Sequence, residues 1–184
     1  MYIFGYGSLM WRPEVAYKAR YPALLTGYHR AYVMITTKAR GSMDAPGMML
    51  GLAPGGECWG VAFQFEPGVA PETLAAVDKR EGAGKANWRV LLPVRIDDSG
   101  NGCGGDVLVP AWTYMPWPAW ENYCGLQARP RMVELIATGV GERGSAYDYL
   151  RLVNRELHAI GHPDEGCQAL LDDVERFRAK SAHN

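Results

Sequence analysis

Short apolar, aromatic and β-branched runs break up the first two-thirds of this chain, and longer helical patterns fill the last third. The strand-like runs lie near 2–6, 28–35, 48–52, 57–65, 88–96 and 107–114. Turn-forming clusters separate them, at Pro54-Gly55-Gly56 and at Asp97-Asp98-Ser99-Gly100-Asn101-Gly102. One helix interrupts the strands. It starts near Pro71, a residue suited to a first helical turn, and carries Leu74 and Val77 toward the core. Helices follow near 130–139, 145–160 and 165–179. Ser145 and Asp148 form a capping-box pattern at the start of the second of these, and Gly161 with Pro163 stops it. This order predicts a mixed α+β fold, a small mixed sheet or partial β-barrel with surrounding helices. With 184 residues the chain can bury a sizeable core as one domain over 1–184, and no repeat or linker divides it.

Charge narrows the partners. The 19 basic side chains against 20 acidic ones leave a formal charge of −1, so no field of one sign recommends nucleic acid or an anionic membrane. Met1 runs directly into Tyr2-Ile3-Phe4 with no basic leader, and no apolar run approaches the ~20 residues of a membrane-spanning helix. The expectation is a cytoplasmic protein that takes a small neutral or zwitterionic ligand. Cys58, Cys103, Cys124 and Cys167 are far apart with no Cys-x-x-Cys pair, which argues for reduced thiols and against a zinc site. His158 and His162 have helical i, i+4 spacing, but Gly161 and Pro163 flank the second and no Glu follows the first, so the reading is a helix terminus and no metal is expected. Nucleotide motifs fail as well. A dinucleotide fingerprint beginning at Gly5-Tyr6-Gly7 needs a glycine where Met10 stands, and a P-loop ending at Gly84-Lys85 needs a hydroxyl at Ala86 and a glycine at Lys79.

Two stretches carry the chemistry. In Gly5-Tyr6-Gly7-Ser8-Leu9 the glycines permit close backbone approach, so a ligand can meet bare amide groups, and Ser8 adds a hydroxyl. An ordinary glycine turn closing a core strand is the alternative. In Asp78-Lys79-Arg80-Glu81-Gly82 the interrupting helix should end, with Gly82 as the left-handed residue beyond it. Glu81 then faces the negative end of the helix dipole, at a cost of ~0.3–1 kcal/mol when exposed. Partial burial would add to its affinity for a proton, the profile of a general base. The alternative is a solvated glutamate paired with Arg80 or Arg89. Trp112 to Trp120, rich in Trp and Pro, reads as a stiff surface loop or a pocket wall.

Taken together, Gly5-Tyr6-Gly7-Ser8-Leu9, Gly27-Tyr28-His29-Arg30, Pro46-Gly47, Gly60-Val61-Ala62, Arg80-Glu81, Tyr123-x-Gly125 and Gly144-Ser145 with Tyr149-Leu150 resemble the ChaC family of glutathione-specific γ-glutamylcyclotransferases over nearly the whole chain. The resemblance implies a small mixed barrel-like α/β domain that converts glutathione into 5-oxoproline and cysteinylglycine without metal or organic cofactor. It implies a substrate loop at Tyr6, Gly7, Ser8 and Leu9 and a catalytic glutamate at Glu81. It also points to Tyr123 as a hydroxyl that orients the glutamyl group, beside the alternative of an aromatic core residue, and to Arg40 as a further substrate contact. The chain departs from the family where a His-Arg-Gly sequence becomes Ala39-Arg40-Gly41, where a tyrosine soon after the glutamate is absent before Trp88, and where Gly-Ser-Asn becomes Gly144-Ser145-Ala146. Another γ-glutamyl substrate, or noncatalytic binding of a small carboxylate, remains open at this level.

Overall fold

The computed structural model describes residues 1–66, 68, 70–97 and 106–182. Its strands are β1 (Tyr2–Gly5), β2 (Ala19–Thr36), β3 (Gly47–Gln64), β4 (Asn87–Ile96), β5 (Val107–Pro116) and the short pair β6 (Val140–Gly141) and β7 (Gly144–Ser145). Its helices are α1 (Ala70–Glu81), α2 (Arg129–Thr138), α3 (Ala146–Ala159) and α4 (Glu165–Ser181). The first five strands close into a barrel in the order β1-β3-β2-β4-β5, which makes the fold mixed α+β as expected. β1 runs antiparallel to β3, with Gly5 opposite Val61, and parallel to β5, with Ile3 opposite Trp112. β4 and β5 pair along their whole length, from Asn87 opposite Pro116 to Ile96 opposite Val107.

The chain divides into two compact units, one of Met1–Arg30 with Leu52–Trp120 and one of Ala31–Gly51 with Glu121–Asn184. In the first, Ile3, Phe4, Leu25, Val61, Phe63, Val94 and Tyr114 are buried, each aliphatic or Phe side chain stabilising by at most about 1.5–3 kcal/mol. In the second, α2, α3 and α4 pack on one another. There Val33, Met48, Ile136, Leu150, Val153, Leu157 and Val174 are buried.

The helix signals match closely. Ser145 caps α3 by accepting from the Asp148 N–H at 2.9 Å, and Asp164 caps α4 by accepting from the Cys167 N–H at 2.9 Å. Gly161 has φ +80° beyond α3. Val77 of α1 is buried, whereas Leu74 is only half-buried.

The strands need correction. Pro54-Gly55-Gly56 does not separate two strands, because β3 runs through it, with Gly55 at φ +90° and Gly56 at φ +73°. Positive-φ glycines also serve inside strands, where they mark irregular pairing. His29 of β2 lies against this point, its Nδ1 3.0 Å from the Gly55 carbonyl oxygen. β2 likewise starts well before the predicted run, passing Pro22 and Gly27, two residues that argue locally against a strand. The first part of the Trp112–Trp120 segment is not a loop but the end of β5, and Trp117 packs on Trp88 with ring centroids 5.8 Å apart. Of the turn predicted at 97–102, all but Asp97 lies outside the described residues, as does Cys103.

Candidate active site

The site grows from the two ends of elements that the sequence singled out, both in the first unit. Glu81 is the last residue of α1, and Gly82 follows at φ +64°. The Ala83 N–H reaches back to the Asp78 carbonyl at 2.9 Å, the long bond of a Schellman motif. Asn87 donates from Nδ2 to the Glu81 carbonyl at 2.7 Å, and the Ala86 N–H donates to the Gly82 carbonyl at 3.1 Å. The Asp78 and Glu81 carbonyls at the helix end are thus satisfied, and the backbone that carries Glu81 is held.

The glycine loop begins where β1 ends. A Cβ on Gly5 would stand 2.6 Å from Leu9 Cβ, and one on Gly60 would stand 2.4 Å from the Gly5 carbonyl oxygen, so this turn closes only around hydrogen-sized side chains. Ser8–Met10 forms a single 3-10 turn, with the Met10 N–H on the Gly7 carbonyl at 2.9 Å. Arg30 donates from Nε to the Tyr6 carbonyl at 2.8 Å and from a second nitrogen to the Trp59 carbonyl, which ties the loop to its neighbouring strand. Tyr6 is buried, and its hydroxyl donates to the Tyr114 carbonyl at 2.7 Å. Leu9 is buried too. The side chains of Tyr6 and Leu9 therefore serve the core, and the loop offers its backbone and the half-buried Ser8 hydroxyl.

Arg80 joins the two ends. Its side chain is only 10% exposed. It donates to the Glu81 carboxylate, to Ser8 Oγ at 3.1 Å and to the Arg12 carbonyl at 2.7 Å, and its Nε lies 3.4 Å from Glu14 Oε2. The Glu81 side chain is 20% exposed, so its carboxylate is half-sheltered and shares one guanidinium with the loop serine. Of the two cations considered from sequence as partners for Glu81, Arg80 takes the place, while Arg89 pairs with Asp78. Asp78 also accepts from the Tyr114 hydroxyl at 2.8 Å. Burial first, and the Asp78 carboxylate second, push the Tyr114 phenol well above its ordinary range, so it stays a neutral donor.

A half-sheltered carboxylate, a hydroxyl and a glycine-lined turn are the kinds of group that proton transfer and anion binding draw on. A model of the ChaC-like protein family matches residues 1–177. The chain belongs to this family. The ChaC-like chain is 30% identical over 181 residues to the glutathione-specific γ-glutamylcyclotransferase of Escherichia coli (strain K12), covering 98% of this chain and 75% of that protein. It is 37% identical over 183 residues to glutathione-specific γ-glutamylcyclotransferase 1 of Homo sapiens, covering 95% of this chain and 78% of that protein. Its fold matches the crystal structure of a γ-glutamylcyclotransferase specific to glutathione from yeast, with a TM-score of 0.85 over 97% of this chain and 96% of that one, at 21% sequence identity.

Two sequence candidates of the ChaC-like chain, Tyr123 and Arg40, belong to the second unit. Tyr123 is half-buried and its backbone bridges Met34. Arg40 donates to the Arg143 carbonyl and lies over the Tyr149 ring, 5.2 Å from its centroid. Around it the backbones crowd: a Cβ on Gly41 would stand 2.2 Å from the Thr36 carbonyl oxygen, and one on Gly139 would stand 2.5 Å from Gly47 Cα. Residues that sequence reasoning missed are Arg30, Arg12 and Glu14. Arg30 stood in a quoted motif without a role, and nothing local marks Arg12 or Glu14, whose partner Arg80 lies far along the chain.

Proposed function

We propose that the ChaC-like chain is a γ-glutamylcyclotransferase that converts glutathione into 5-oxoproline and cysteinylglycine in the cytoplasm, with residues 1–184 acting as one domain. The observation that carries this reading is the Glu81 carboxylate held beside the Ser8 loop by Arg80. The names of the similar proteins from Escherichia coli and Homo sapiens support glutathione as the substrate.

The chemistry needs no external nucleophile. The α-amino nitrogen of the γ-glutamyl group attacks its own γ-carbonyl carbon, a five-membered lactam forms, and the bond to the cysteine nitrogen breaks. The reaction is intramolecular, so the protein's task is to fold the glutamyl chain, move protons and stabilise the oxyanion. In this reading Glu81 accepts a proton from the α-ammonium and later delivers it to the leaving amide nitrogen; the second proton that the attacking nitrogen sheds as the lactam forms also ends on the departing amine, so protons balance without water being consumed. Backbone N–H groups of Tyr6, Gly7, Ser8 and Leu9 hold the α-carboxylate or the oxyanion, and an oxyanion donor contributes ~3–4 kcal/mol. Roles for Tyr123 and Arg40 in binding rest on the family resemblance.

The test pairs a variant with a substrate panel. Glu81→Gln is expected to abolish 5-oxoproline formation while binding and fold persist, and substantial residual turnover rules out the assigned base. Purified protein offered glutathione, γ-glutamylalanine and γ-glutamyl-ε-lysine is expected to favour glutathione. Preference for either of the others overturns the substrate.

A further inference from the structure

One guanidinium serves two glutamates here, and the pair is not symmetrical. Arg80 donates to Glu81, which is 20% exposed, and faces Glu14, which is 44% exposed and also pairs with Arg12 at 2.7 Å. Glu14 has φ +60°, in the left-handed region that a non-glycine residue enters at a cost. Such strain persists where surrounding contacts impose it, and among the described residues Glu14 pairs with these two arginines. Meanwhile Arg80 spends its donors on Glu81, Ser8 Oγ and the Arg12 carbonyl. A guanidinium so engaged and so buried organises the site instead of meeting the substrate.

We propose that Arg80 is a positioning residue shared between two acids: it fixes the Glu81 carboxylate beside the glycine loop, and Glu14 balances its charge while Glu81 carries the proton. The inference rests on Glu81 being the base. During the cycle Glu81 alternates between anion and neutral acid, and a buried guanidinium facing only Glu81 would oppose the neutral form. Glu14 softens that opposition from the exposed side and keeps Arg80 aligned when its bond to Glu81 weakens. Among the described residues, Arg80 on its own helix pairs with Glu81, Glu14 on the segment after the 3-10 turn faces Arg80 and pairs with Arg12, and Lys85 is an exposed cation four positions after Glu81 in the chain. Beyond Arg80, Asp78 bonds Arg89 of β4 and Tyr114 of β5.

The experiment is the pH profile of kcat/KM for glutathione, measured as 5-oxoproline formed. Its acidic limb reports the base in the free enzyme. Arg80→Met removes the cation, so the limb is expected to move up by about one pH unit, with kcat down at least about tenfold. Arg80→Lys keeps the charge without the fork, so the limb stays near its original place while kcat falls. Glu14→Gln leaves Arg80 facing Glu81 alone, so the limb moves the other way, downward by a few tenths, a shift that shrinks at high salt. A purely structural Arg80 would lower activity without displacing the limb. Limbs that stay put, or that move in the same direction in Arg80→Met and Glu14→Gln, overturn the proposal. Should Arg80→Met fail to fold, Arg80→Lys and Glu14→Gln decide the matter. An active Glu81→Gln overturns the base itself, whereas an inactive Glu81→Gln with unmoved limbs overturns only the role of Arg80.

Discussion

The C-terminal ends of α1 in the first unit and α4 in the second face the same electrostatic condition and answer it differently. α4 closes with Arg178 and Lys180 in its last turn, cations at the negative end of the helix dipole. Arg178 donates to the Ala137 carbonyl at 2.7 Å and lies over the Tyr147 ring at 4.5 Å, so its charge, hydrogen bond and stacking all serve stability within that unit. α1 also has Lys79 and Arg80 in its last turn, yet its final residue is Glu81. There the cation is turned onto the acid and the loop. An end built for stability would place a base where Glu81 stands; the acid there accords with the proton-carrying role proposed for it.

The sharpest way to break this contrast is to remove charge at the α1 end and read turnover and stability separately. Glu81→Gln is expected to reduce glutathione turnover by ~10²–10⁴-fold. Its unfolding free energy in urea should change by less than ~1 kcal/mol, since loss of the ion pair and relief from the helix dipole oppose each other. A collapse of the fold would show that Glu81 is structural. Next in size, Gly60→Ala probes the ground beneath the loop. Its Cβ would stand 2.4 Å from the Gly5 carbonyl oxygen and 2.8 Å from the Phe4 ring, so about 1–3 kcal/mol of stability should be lost, with activity falling as the loop shifts. Unchanged chemical denaturation would show that the close approach does not matter.

Arg178→Met supplies the matching change in α4. Stability is expected to drop by ~1 kcal/mol through the lost hydrogen bond and dipole term, with kcat within about twofold of the original. Loss of turnover in a folded Arg178→Met protein would erase the distinction between the two ends. The smallest effect is read only in alkali. Burial and Asp78 raise the Tyr114 phenol above its ordinary 10.0, so its contribution to stability is fully present below pH 10 and is lost as pH rises through the folded value. Thermal melts should fall more steeply above pH 10 for the original protein than for Tyr114→Phe; equal slopes would remove Tyr114 from the network that supports α1.

Local signals in the sequence read well wherever a single turn decides the outcome. Ser145 was legible as a helix cap because a cap bonds an N–H only three residues on, whereas Asp164, which does the same for α4, was not picked out. Gly82 was legible for the same reason, and with it the placement of Glu81 at a helix end. The long strands were not. Pro22, Gly27 and Pro54-Gly55-Gly56 each carry a local preference against a strand, and only pairing with neighbours overrides it. The partners of Arg80 were hidden in the same way, for Ser8 lies 72 positions away and Arg12 lies 68.

From its order of residues alone, the chain determined its mixed class, its four helices, the glycine turn after β1 and an acid at the end of α1, because each follows from interactions spanning a few residues. Closure of five strands into a barrel, the inward use of Tyr6 and Leu9, and the convergence of Ser8, Arg12 and Glu14 on Arg80 were decided only in three dimensions. The physical reason is that a buried guanidinium must find oxygen partners wherever the packed chain presents them, and no spacing along the sequence records which ones they are.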